Sequence, residues 1–117
     1  MLPELSFSVQ QREGARAVVR VSGAMDYDTS DPLEEALTAL VGDGAHHLVL
    51  DMAAVTFCDS SGINTLVRAQ AHAKQEKGTL ALVGAPARLQ AVLEMTGVDT
   101  VITTYPTVAL ALDDIPG

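Results

Sequence analysis

Leu48-Val49-Leu50-Asp51, followed a few residues on by Val55-Thr56-Phe57-Cys58-Asp59-Ser60-Ser61-Gly62, is the stretch on which the reading of the fold turns. Its three consecutive aliphatic residues show no polar alternation, the pattern of a central strand covered on both faces. A short loop then leads to serines placed to open a helix. From Ser61 to Lys77 the apolar residues Ile63, Leu66, Val67 and Ala71 mark one helical face, with Lys74 and Lys77 suited to the negative helix end.

Working outward, Ser6 to Arg12 and Ala15 to Ser22 predict a hairpin joined at Glu13-Gly14. Ala24 to Thr29 is expected to be a polar loop. Asp31-Pro32-Leu33-Glu34 carries the signature of a helix start: a capping aspartate, a proline in the first turn and a glutamate to close a capping box. Leu33, Leu37, Leu40 and Val41 continue that helix to Gly42 or Gly44. On the other side, Gly78 stops the second helix, Thr79 to Val83 is a buried strand, and Pro86 opens a helix that ends at Gly97. A strand over Thr100 to Thr103 and a helix from Pro106 to about Leu112 complete the chain. The order β-β-α-β-α-β-α-β-α predicts a small α/β domain: an N-terminal hairpin feeding a mostly parallel mixed sheet of about five strands, with about four helices. Residues 1–117 read as one domain with loose ends near 1–4 and 113–117.

Composition narrows the function. With 15 acidic against 7 basic side chains and a formal charge of −8, the chain repels nucleic acid and anionic lipid alike, and suits a basic protein partner. Its cations, Arg12, Arg16, Arg20, Arg68, Lys74, Lys77 and Arg88, form no dense patch. Cys58 is the single thiol, so a reducing cytoplasm is the expected setting. No stretch approaches the ~20 apolar residues of a membrane span, which predicts a soluble, unprocessed protein, and the chain is expected to be monomeric or weakly associating.

In open α/β sheets, binding surfaces form beyond the carboxyl ends of the strands. Two loops are expected there, one holding Asp26, Asp28 and Thr29, the other Asp59, Ser60, Ser61 and Gly62. Ser60 reads as the N-cap of the second helix, and Asp59 favours the same positive end. Gly62 costs ~1 kcal/mol inside a first turn, which predicts a close approach to its backbone. Several sharper chemistries fail. A hydrolase triad of Ser60 with His46, His47 or His72 lacks the Gly-x-Ser-x-Gly elbow. Asp51 as a receiver-type phosphoacceptor lacks an acidic pair after the first strand and a late lysine. Beside Asp59, Cys58 is disfavoured as a thiolate, and Asp26 with Asp28 offers a cation too few ligands.

Three segments, Gly23-Ala24-Met25-Asp26-Tyr27-Asp28-Thr29, Val55 to Gly62 and Met95-Thr96-Gly97-Val98, together resemble the STAS domain of anti-sigma factor antagonists. Ala24 stands where family members often carry an acidic residue. The resemblance implies that Ser60 is a phosphoacceptor and that the chain acts by partner switching, itself no enzyme and holding no cofactor. The unphosphorylated form would bind an anti-sigma factor, which is also the ATP-dependent serine kinase, and so free a sigma factor. Phosphorylation would reverse this, and a metal-dependent serine phosphatase of the PP2C type would restore binding. Asp26, Thr29, Asp59, Ser61, Gly62 and Asn64 complete the expected docking surface. The alternative is a STAS module that docks without phosphorylation, as in transport or lipid-trafficking systems.

Overall fold

A five-stranded sheet in the order β1-β2-β3-β4-β5 organises the computed structural model, which describes residues 4–115. β1 (Ser6–Glu13) and β2 (Arg16–Met25) form the antiparallel hairpin, and β3 (His47–Cys58), β4 (Thr79–Val83) and β5 (Thr103–Tyr105) follow in parallel. α1 (Tyr27–Gly42), α2 (Ser60–Gln75) and α3 (Ala87–Thr96) connect the parallel strands, and α4 (Val108–Asp114) ends the fold. The predicted α/β architecture is the observed one.

β3 lies in the middle, as its unbroken apolar run requires. Leu48 and Leu50 pack with Leu33, Leu37, Leu66 and Leu93 of α1, α2 and α3 on one side of the sheet. Val49, one residue out of phase with both, packs with Ala111 and Ile115 on the other side. Each fully buried aliphatic side chain contributes about 1.5–3 kcal/mol.

Five expectations are corrected. β2 continues through Ala24 and Met25, both buried, so the expected polar loop is the end of a strand and the start of a helix. Gly23 makes the path possible: at φ +90, a Cβ there would run into the Glu4 carbonyl oxygen. α1 accordingly starts at Tyr27 and not near Asp31, and Pro32 sits inside it, where the chain gives up one backbone donor. β3 runs on past Asp51 to Cys58, its register against β2 shifted between Arg20 and Ser22 and again between Gly23 and Ala24. Beyond Gly97, which caps α3 at φ 77, a 3-10 turn over Val98–Thr100 replaces the start of the expected strand. Val98 and Ile102 are buried there, which delays β5 to Thr103. Finally, Asp113 and Asp114 belong to α4, and Ile115 is buried against the sheet, so these residues are not a loose end. Residues 1–3 and 116–117, also expected to be loose, lie outside the described residues.

Candidate functional site

Parallel pairing of β2 with β3 sets Met25 opposite Cys58. The Asp59 N–H donates to the Met25 carbonyl at 3.1 Å, so the next residue of each strand, Asp26 and Asp59, leaves the sheet beside the other. Both aspartates are extended, and each caps the helix that follows. The two expected loops therefore meet at the carboxyl edge of the sheet, where parallel topology puts them.

At the first end, Asp26 Oδ1 accepts from the N–H groups of Asp28 at 3.0 Å and Thr29 at 3.1 Å. Thr29 Oγ1 accepts in return from the Asp26 N–H at 2.8 Å, which closes a capping box. The Ser30 hydroxyl donates to the Asp26 carbonyl at 2.7 Å. Ser30 and Thr65 are buried, and Thr65 Oγ1 donates to the Ser30 carbonyl at 3.5 Å from α2. The Thr29 and Ser30 hydroxyls at this end are thus engaged, while the exposed Tyr27 hydroxyl has no hydrogen-bond partner among the described residues.

The second end is built on a different residue from the one expected. Asp59, not Ser60, is the N-cap: its Oδ1 accepts from Ser61 N–H at 2.8 Å and from Gly62 N–H at 3.2 Å. An N-cap needs extended backbone, and Asp59 has it at φ −96 and ψ −171, whereas Ser60 is already the first residue of α2. Relieved of capping, Ser60 is exposed, and neither its hydroxyl nor that of Ser61 has a hydrogen-bond partner among the described residues.

Gly62 is buried, and the close approach inferred for it comes from inside the fold. A Cβ there would lie 2.7 Å from Cys58 Sγ and 3.0 Å from both Cβ and the carbonyl oxygen of Met25. It lets α2 seat against the end of β2. Asn64 is exposed one turn after Ser60, and Asp26 and Thr29 are half-buried. Sequence reasoning missed Tyr27, 81% exposed directly after the first cap, and Phe57, 40% exposed just before the second. In a chain with only 3% aromatic residues, their place next to the caps was the available signal.

Burial first, and the neighbouring Asp59 carboxylate second, push the Cys58 thiol up to about 12, far from thiolate chemistry. Asp51 is occupied in the strand: one oxygen pairs with Arg20 at 3.5 Å and the other accepts from Ala53 N–H at 3.1 Å, where the first register shift begins. His46 and His47 stand at the opposite end of β3 from Ser60, and His72 lies in the last turns of α2. Among the described residues no group of three or more His, Cys, Asp or Glu side chains could hold a metal ion, and no helix is long and apolar enough to cross a membrane.

Comparison with known proteins gives this arrangement its family. The STAS domain model matches residues 6–111. An anti-sigma-B factor antagonist of Listeria monocytogenes is 28% identical over 98 residues, covering 84% of this chain and 86% of the relative. The crystal structure of an anti-sigma factor antagonist from Mycobacterium paratuberculosis is similar at a TM-score of 0.80 and 32% identity, covering 96% of this chain and 94% of that one. The fold also matches the phosphorylated form of the Bacillus cell fate determinant SpoIIAA, at a TM-score of 0.73 and 17% identity, over 93% of this chain and 98% of that one. With paired aspartate caps at the carboxyl edge of such a sheet and a family model spanning it from β1 into α4, the chain belongs to the STAS domain family and is related to the anti-sigma factor antagonists.

Proposed function

We propose that this protein is an anti-sigma factor antagonist that switches partners through a phosphate on Ser60. One observation carries the reading: of two neighbouring aspartate-capped helix ends, the first has its threonine and serine, Thr29 and Ser30, tied down, while the second presents an exposed serine with no bond among the described residues. A kinase needs a hydroxyl that it can reach and that gives up no internal bond. Ser60 is that group.

The same place explains how a phosphate would act. Phosphoserine carries about −1.5 to −2 charges near neutral pH, and the start of α2 offers backbone N–H groups and a positive dipole end to receive it. The fold would tolerate the group. Its charge would stand beside Asp59, near Asp26, on a surface meant to meet another protein. Docking excludes water from around these anions, and the repulsion of one pair of like charges ~6 Å apart grows by roughly 1–3 kcal/mol on passing from bulk water to the dielectric of a protein surface. A domain stabilised by ~5–15 kcal/mol survives that, whereas an interface loses most of its occupancy.

In this reading the unphosphorylated chain binds a serine kinase that is also the anti-sigma factor, and so releases a sigma factor. A metal-dependent serine phosphatase of the PP2C type restores the binding form, with ATP and metal belonging to those partners. Asp26, Thr29, Asp59, Ser61 and Asn64 line the contact, and Gly62 holds α2 in place beneath it. The test is incubation with a candidate anti-sigma kinase and ATP, read by mass spectrometry with a Ser60→Ala control. A single phosphate on Ser60, absent in the control, is the expected result. A Ser60 left unmodified by a kinase that binds the chain would overturn the switch and favour a module that only docks.

A further inference from the structure

The docking residues named so far are polar or charged, yet the energetic centres of protein interfaces are buried apolar anchors set in pockets, with polar groups at the rim. A centre of that kind lies beside Ser60. Asp59, Ser60 and Asn64 form the mouth of a groove of about 370 Å3, walled by Val67 of α2 and by Val92 and Val98 around α3. At Cys58 and Val92 it meets a second groove of about 280 Å3, which runs along Val55 and Phe57 of β3 to Arg88 at the start of α3. The grooves exist because β4 accompanies β3 only to Asp51, so the last seven residues of β3 have no strand on that side and α3 stands off from them.

The charges at the ends define what fits. Asp59 is at one end. At the other, Arg88 is exposed and makes no ion pair or side-chain hydrogen bond among the described residues. We infer that this α2–α3 groove receives a segment of the anti-sigma kinase in which an aliphatic or aromatic side chain stands between an uncharged residue, toward Asp59 and Ser60, and an acidic one, toward Arg88. The inference rests on the Ser60 reading and deepens it. Phosphorylation would place its charge at the mouth through which the apolar anchor passes, where docking must then desolvate a phosphate against an uncharged partner residue instead of a neutral serine.

The test uses a purified anti-sigma kinase that binds the wild-type chain and phosphorylates Ser60, with dissociation constants measured by calorimetry in the absence of ATP. Val92→Asp, in the groove wall, is expected to weaken binding about 30-fold, the equivalent of a 2 kcal/mol hot spot. Thr96→Trp, at an exposed position on the α3 rim, should obstruct the groove and cost about tenfold without touching the core. Arg88→Glu should cost about 3–10-fold, with the loss shrinking as salt is raised. Should Val92→Asp fail to fold, as thermal unfolding would show, Thr96→Trp and Arg88→Glu decide the matter. If the folded groove variants bind within twofold of wild type while Ser60→Asp does not bind, the groove assignment is wrong and the Ser60 reading stands. If Ser60→Asp also binds like wild type, the Ser60 reading fails and takes this inference with it.

Discussion

Asp26 and Asp59 do the same work at adjacent strand ends, each turning an extended residue into a helix cap with two backbone N–H groups on one carboxylate oxygen. Around Asp26 the following hydroxyls close the structure: Thr29 reaches back to the cap and Ser30 to its carbonyl. Around Asp59 nothing reaches back, since glycine takes the third helical position where Thr29 stands in α1. The box uses the third helical position and leaves the first, Tyr27 in α1 and Ser60 in α2, outside it. Capping by an aspartate thus lets the domain hold a serine hydroxyl exposed at a fixed place without spending it on its own stability.

The sharpest way to break the comparison is to fill the space that glycine leaves. Gly62→Val would drive side-chain atoms into Met25 and Cys58 and should cost about 2–3 kcal/mol, seen as a fall in Tm of roughly 8–12 °C. A change under 2 °C would show that the second end is not seated as described. Ser60→Asp comes next: partner affinity should fall about 5–150-fold with far-UV dichroism unchanged. Wild-type affinity would sink the idea that charge at this end is what the partner senses. Removing the caps should then rank the two ends. Asp26→Ala is expected to cost about 1–2 kcal/mol by chemical denaturation because it opens a reciprocal box, and Asp59→Ala about 0.5–1 kcal/mol. Equal or reversed costs would erase the distinction between a locked end and a free one. Smallest of all, Ser60→Ala should stay within about 0.5 kcal/mol of wild type, since that hydroxyl makes no bond among the described residues.

Elements bounded by residues with only one local option were readable from sequence. β4 sits where its apolar run put it, and α3 runs between its caps Pro86 and Gly97 because one fits a helix start and the other adopts the left-handed cap. The start of α1 was misread because Asp31-Pro32 with Glu34 makes a stronger local signature than Asp26 with Thr29. Long-range pairing of Met25 with Cys58 overrides it by holding the chain in a strand up to the true cap. Of the site, the neighbourhood of Asp26 and Ser60 followed from parallel crossovers alone. The identity of the cap did not, as it depends on which of two adjacent residues stays extended. For Gly62 the signal was sound, but the neighbour it admits is Met25 and not a visitor. The α2–α3 groove left no trace in local pattern, because its walls come from β3, α2 and α3 and are joined only by the early departure of β4.

The overhang of β3 also gives the protein unequal mechanical halves. From His47 to Asp51 the strand is clamped on both sides, while from Met52 to Cys58 it is held by β2 alone. Backbone openings there need to break one ladder where the rest of the strand must break two, so amide protons of the overhang should exchange with solvent sooner than those of Leu48 to Leu50. The serine stands on the end of the compliant half, and the rigid half anchors it to the core.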